Sequence, residues 1–426
     1  MNYDYKAHAE THLKAAKDAV AEHVAKQGSW QVSDIVDDQY QYVDLVMEGG
    51  GVLGIALAGY VYVLEELGIR FLQLGGASAG SINALLMAAA GRVEESKTER
   101  ILEALDAQNL ADFVDCDDDA RDFVQVLVEN GKLLKYAWKG MQVVDNFTQD
   151  FGLNPGTVFH DWVRGLLAQW GVLTVRDLYE QKRTIAPGQL RLRTGEPYAP
   201  DGPIRLALLA AEVTTESKVV FPEMADLYYA DPLAVNPADF VRASMSIPLF
   251  FHPYMVTGLP NAGTPTSERW KSAVGYEGPV PQEVYFIDGG IMSNFPIDLF
   301  HQHYKVPNCP TFGIKLGLDR NKPNPIAKFT NLLGAIFDSA RHVHDFDFIT
   351  RNPDFRHLVI CAETDQYNWL DFQLTPETKG ALFAEGARAA AKFVRGFDWS
   401  GYKEVRNQLI KAYQVTDAVK PSDTIT

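Results

Sequence analysis

From Tyr42 onward the chain alternates between two hydrophobic patterns. "YVDLVM" (42–47) is a short apolar run ending in glycines, the mark of a buried strand. "VLGIALAGYVYVLEELG" follows with helical spacing at Leu53, Leu57, Val61 and Leu64 and stops at Gly68, a residue suited to closing a helix. "IRFLQL" repeats the strand pattern and "AGSINALLMAAAG" the helical one. Strand, helix, strand, helix predicts a parallel sheet covered by helices. Residues 95–185 read as mostly helical with no clear strand, a candidate cap or lid. Strand patterns return at 204–213, 217–222, 283–288, 311–317 and 357–363. Thr375-Pro376-Glu377 is an N-cap followed by proline at the first helical position, and the helix it opens carries Phe383, Ala387, Ala390 and Val394 on one face. Residues 5–27 read as a surface helix with a thin apolar stripe. The organisation expected is an N-terminal helical arm (1–41), one large α/β unit (42–397) and a C-terminal tail (398–426).

Composition narrows the function. The net charge of −16 over 426 residues repels polyanions, so no nucleic-acid partner is expected. Cys116, Cys309 and Cys361 are far apart and form no CxxC pair, which argues against a disulfide framework or a zinc site. The N-terminal stretch lacks the apolar core of a secretory signal, and no run approaches the roughly 18 apolar residues of a membrane-spanning helix. A cytoplasmic protein is expected, with peripheral membrane association and export by a route that needs no signal both left open.

Two glycine clusters carry the candidate chemistry. Gly49-Gly50-Gly51-Val52-Leu53-Gly54 matches G-x-G-x-x-G between a strand and a helix, the setting of a dinucleotide site. Such a site places an acidic residue at the end of the next strand to hold the ribose. Here that strand ends in Gln73-Leu74-Gly75 and runs into Gly76-Ala77-Ser78-Ala79-Gly80. G-x-S-x-G between strand and helix is the nucleophile elbow, a strained turn that lifts a serine hydroxyl to a helix N-terminus. With Ser78 as nucleophile, the glycine turn on the adjacent strand gains another role: the amides of Gly50 and Gly51, with Ala79 as a third donor, would bind an acyl oxyanion. A base is still needed. "EVYFIDGG" ends an apolar strand in Asp288, followed by Gly289 and Gly290. In isolation Asp-Gly signals a hairpin turn; beside an elbow and a glycine-rich loop, the carboxylate becomes a base candidate. An apolar surrounding would raise its basicity, and the residues ending the 241–254 segment are candidate walls.

GGGVLG, GASAG and IDGG, in this order, resemble the patatin-like phospholipase family, whose fold and Ser-Asp dyad are related to cytosolic phospholipase A2. "VRASMSIPLFFHPY" (241–254), "SNFPI", "DFDFITRNPDF" and the 372–394 segment are similar to further stretches of bacterial members, so the likeness spans residues 42–397, with the motif-bearing core at 42–301. The resemblance implies a three-layer α/β/α fold with a mostly parallel central sheet. It also implies Ser78 as nucleophile, Asp288 as base, an oxyanion hole at Gly50 and Gly51, and a lipid substrate at a membrane or micelle surface. Many members carry Arg or Lys where this chain has Leu53.

Other readings are weighed on the same residues. A Ser-His-Asp esterase would need one of His252, His301, His303, His342, His344 or His357. A non-catalytic lipid-binding protein on this fold would not need Ser78, Asp288 and the glycines intact. "DCDDDARD" (115–122) lacks the loop glycine and closing glutamate of a calcium-binding loop, so an acidic loop or helix start is expected. The dyad chemistry requires no metal or cofactor.

Overall fold

A computed structural model describes residues 3–116, 151–200, 202–302, 304–317 and 348–419, with isolated positions between 318 and 347. The strands are β1 (Ile35–Val36), β2 (Gln41–Met47), β3 (Ile69–Ala77), β4 (Gly152–Asn154), β5 (Arg191–Leu192), β6 (Leu206–Glu212), β7 (Ser217–Phe221), β8 (Leu249–Phe251), β9 (Tyr254–Thr257), β10 (Glu283–Asp288), β11 (Thr311–Leu316) and β12 (Val359–Ala362). The helices that position the site are α1 (Tyr5–Gln27), α2 (Ile55–Glu66), α3 (Ala79–Ala90), α4 (Thr98–Ala107), α5 (Thr157–Gln169), α6 (Ala238–Ser244) and α7 (Pro376–Gly396).

The result is a mixed α/β protein around one large sheet. Five strands, in the order β12-β11-β2-β3-β6, are mutually parallel. Beyond them the sheet turns antiparallel: β7 and β10 both pair with β6 in reverse, and β9 pairs with β10. The expectation of a mostly parallel sheet therefore holds for the core and is corrected at this flank. β6 and β7 are joined by a short turn, which returns the chain antiparallel; a parallel neighbour would need a long crossover. A second difference is β4, which pairs in parallel with β8 inside the region expected to be helical. Three residues are too few to show an alternation.

Both sheet faces are covered. On β11, Phe312 packs on Phe393 and Phe397 at 4.7 and 4.9 Å between ring centroids, whereas the neighbouring Gly313 faces Phe295 and Ile297. α2 is buried along its whole run from Ile55 to Glu65, because it is enclosed by other elements, α7 among them. That is why its apolar stripe is wider than an amphipathic pattern suggests. The two helices touch backbone to backbone: a Cβ on Gly59 would lie 1.9 Å from the Phe383 carbonyl oxygen, and one on Gly386 would lie 1.7 Å from that of Ala56. Gly386→Val must push α7 off α2, and overpacking of this kind costs about 1–3 kcal/mol. The expected result is a lower Tm in thermal unfolding.

Thr375 caps α7 as its sequence predicts, its hydroxyl accepting the Thr378 amide at 3.2 Å. α1 packs on α7 through Tyr5 and buries Ala9, Ala16 and Ala19.

One carboxylate sits inside the apolar run of β2. Asp44 accepts from the Gln73 amide at 3.1 Å and the Gln73 side chain at 2.9 Å, and burial pushes its carboxyl up to about 7 from an ordinary 3.8. The folded state thus binds a proton that the unfolded chain has released between these values. This contribution to stability is complete at acid pH and lost as pH rises from about 4 through about 7. Asp44→Asn is expected to flatten that slope and to be more stable than wild type at pH 8, read by denaturant unfolding at pH 5 and pH 8.

Candidate active site

The elbow is set by steric demand. Ser78 holds φ 50° and ψ −121°, a strained conformation for a residue with a Cβ, between the end of β3 and the start of α3. The glycines on either side admit the β2 backbone: a Cβ on Gly80 would meet the Met47 carbonyl oxygen at 2.0 Å, and one on Gly76 would meet it at 2.6 Å. The small residues of G-x-S-x-G are thus forced by the adjacent strand.

Asp288 reaches Ser78 by an arrangement that local sequence does not reveal. β7 occupies one edge of β6 along Leu208–Glu212. The other edge is shared: β3 pairs along Leu206–Leu209 and β10 along Ala210–Glu212. Ala77 opposes Leu209 and Asp288 opposes the next residue, Ala210, so β3 and β10 run toward each other and end head to head. The Ser78 hydroxyl donates to Asp288 Oδ2 at 2.5 Å across 210 residues of sequence. The other carboxylate oxygen, Oδ1, accepts the Gly290 amide at 2.8 Å, which fixes the carboxylate plane. A Cβ on Gly289 would strike the Leu209 carbonyl at 2.0 Å, so this glycine lets the turn close on β6. Both Ser78 and Asp288 are buried, at 4% and 7% exposure.

The first glycine cluster follows β2 directly and lies against the elbow, where a Cβ on Gly49 would be 3.0 Å from Ser78 Cβ. Gly49 donates to the Asn294 carbonyl at 3.0 Å and accepts from the Asn294 side chain at 3.1 Å. Val52 donates to the Trp369 carbonyl and Leu53 to that of Gly50, each at 3.1 Å. The amides of Gly50 and Gly51 donate to no acceptor among the described residues. Ala79 begins α3, where amides have no partner within the helix. Gly54 packs on Ala79, its position for a Cβ 3.0 Å from that of Ala79. The sequence-expected residues are therefore gathered at one place. Asn294 and Trp369 were not among them; Asn294 lies in the quoted "SNFPI", whereas nothing in the local pattern marks Trp369.

A cavity of about 730 Å³, counted with its opening, starts at Ser78 and Gly51 and is almost wholly apolar. Met245, Ile247 and Phe251 line it, from the segment expected to supply walls. Its far side comes from the 95–185 region through Ile101, Leu105, Phe113, Phe159 and Trp162. Residues 117–150 of that region, with most of "DCDDDARD", lie outside the described residues. Asp115 itself lies in irregular backbone, as an acidic loop, and accepts from the amides of Gly156 and Val158 at the start of α5 at 2.9 and 3.1 Å. Among the described residues the Ser78 hydroxyl bonds Asp288 and no histidine. His301 packs on Phe348 and Phe355 and lines a different cavity; His303, His342 and His344 lie outside the described residues. No helix among the described residues is long and apolar enough to cross a membrane.

Fold and site together define a mixed α/β protein with a serine in a strained strand–helix turn, a facing carboxylate and an apolar cavity. The chain belongs to the patatin-like phospholipase family, whose model matches residues 45–301. It is 29% identical over 359 residues to the uncharacterized protein YqhO of Bacillus subtilis (strain 168), covering 83% of this chain and 98% of that one. Among solved structures it is similar to VipD from Legionella pneumophila, with 12% identity, a TM-score of 0.39, and coverage of 86% of this chain and 70% of that one. It is also similar to the type III effector ExoU of Pseudomonas aeruginosa, with 14% identity, a TM-score of 0.35, and coverage of 90% and 64%.

Proposed function

We propose that the protein is a serine lipid acyl hydrolase of phospholipase A type, cleaving fatty acyl esters of phospholipids or related glycerolipids. The observation that carries this reading is the 2.5 Å hydrogen bond from Ser78 to Asp288 on the wall of an apolar cavity. Asp288 takes the hydroxyl proton as Ser78 Oγ bonds to the ester carbonyl carbon. The carbonyl oxygen becomes an oxyanion and receives the amides of Gly50 and Gly51, with Ala79 as a third donor. Collapse breaks the ester C–O bond, and the leaving alcohol departs with the proton from Asp288. Water then attacks the acyl-enzyme, with Asp288 again as base, and releases the fatty acid and free Ser78. None of these steps calls for a metal or organic cofactor.

The cavity suits the acyl chain, because an alkyl chain gains about 0.8 kcal/mol for each methylene taken from water. Leu53, where the family resemblance leads one to expect Arg or Lys, is buried at 7% exposure and offers a headgroup no charge. The test is release of fatty acid from phosphatidylcholine and phosphatidylethanolamine vesicles, followed by mass spectrometry for wild type and Ser78→Ala. Release that depends on Ser78 supports the reading; no Ser78-dependent release from any glycerolipid overturns it.

The cavity also yields an expectation about chain length. Leu105→Trp fills the cavity from its α4 wall. Excluding two methylenes would cost about 1.6 kcal/mol, about fifteenfold in relative kcat/KM for long-chain against short-chain p-nitrophenyl esters. An unchanged ratio would place the acyl chain elsewhere.

A further inference from the structure

The stretch "RASMS" (242–246) contributes no reacting group to this chemistry, yet it grips the backbone of both partners. Ser244, fully buried at the end of α6, accepts the Ser78 amide at 3.0 Å. Its hydroxyl donates to the Leu209 carbonyl at 2.6 Å and lies 2.9 Å from Ser81 Oγ, which donates to the Gly76 carbonyl at 2.7 Å. Two residues on, the Ser246 carbonyl accepts the Asp288 amide at 2.8 Å. The segment is itself anchored by Arg242, buried at 4% exposure. Its guanidinium donates to Ser246 Oγ at 2.5 Å, to the Pro155 carbonyl at 2.6 Å and to the His252 carbonyl at 3.0 Å.

We propose that Ser244 is a positioning residue that sets the Ser78–Asp288 distance, a role that rests on the dyad reading above. The nucleophile sits in a strained turn, and an unanchored turn relaxes toward ordinary φ and ψ. Ser244 and Ser246 belong to one short segment, so one rigid piece fixes the amide beside the nucleophile and the amide of the base. A second consequence follows from the same bond. With its amide held by Ser244, Ser78 cannot donate that N–H to the oxyanion, which leaves the task to the glycine loop and Ala79.

The test uses the full chain and counts active sites with a fluorophosphonate before measuring acylation by a p-nitrophenyl ester. In Ser244→Ala the acylation rate for each labelled site is expected to fall about tenfold to a hundredfold with KM changed less than about twofold, since small misplacements of a nucleophile are costly. Ser244→Thr, which restores the hydroxyl, is expected to recover most of that rate. A purely structural role would lower the Tm and the labelled fraction but leave the per-site rate alone, and a per-site rate within about twofold of wild type in folded Ser244→Ala overturns the proposal. If Ser244→Ala does not fold, Ser244→Cys is judged by the same criterion, as the thiol keeps the volume but accepts poorly. Wild type that labels normally beside an unaffected Ser244→Ala sinks this inference alone; wild type that is not labelled at Ser78 sinks the dyad with it.

Discussion

Ser78→Ala is expected to abolish fatty acid release and fluorophosphonate labelling while leaving the fold intact. The substitution removes one oxygen and keeps the Cβ, so the backbone at φ 50° and ψ −121° is no more strained than before. The amide of residue 78 still donates to Ser244, and the glycine loop keeps its bonds to Asn294 and Trp369. What disappears is the atom proposed to form the acyl-enzyme. Loss of a nucleophile of this kind costs about 10⁴-fold or more in kcat. Ester hydrolysis measured beside a thermal melt checks both halves of the expectation. Near-normal hydrolysis would mean that the reacting group is elsewhere.

The second large effect is expected at Asp288. Asp288→Asn keeps the shape of the side chain and an oxygen to accept the Gly290 amide, so the turn after β10 can persist. The amide cannot take the Ser78 proton. Withdrawal of a general base costs about 10²- to 10⁴-fold, and with the acyl chain proposed to bind in the cavity the loss is expected in kcat. Near-normal kcat in Asp288→Asn would assign the base to another group. The described site offers no histidine to the Ser78 hydroxyl, which distinguishes this pattern from a triad.

Much of the site was legible because its demands are local. Gly76 and Gly80 are small because the β2 backbone passes within 2.0–2.6 Å of where their Cβ atoms would be, and this crowding comes with any strand–elbow–helix beside a parallel neighbour. Gly49–Gly51 follows β2 directly, and parallel pairing of β2 with β3 brings it to Ser78. The antiparallel flank was not legible. A buried strand reads as an apolar run whichever way it points, so "EVYFID" announces a strand and conceals its direction. Trp369 meets the glycine loop after β2 through its carbonyl oxygen, an atom every residue possesses, and so leaves no side-chain signature.

The sequence by itself determined the local chemistry: a serine in a turn only small residues allow, a carboxylate at a strand end, and a glycine run after the neighbouring strand. Periodicity and steric exclusion act over a few residues, and a few residues suffice to read them. Only the tertiary structure decided that Ser78 and Asp288 meet. That depends on β6 offering one edge to both β3 and β10, so that two strands ending 210 residues apart converge on neighbouring positions, Leu209 and Ala210. It also decided that the 241–251 segment serves twice, as a wall of the apolar cavity and as the acceptor of the Ser78 and Asp288 amides through Ser244 and Ser246. Hydrogen bonds across a sheet are fixed by pairing partner and register, and neither is written in the residues that make them.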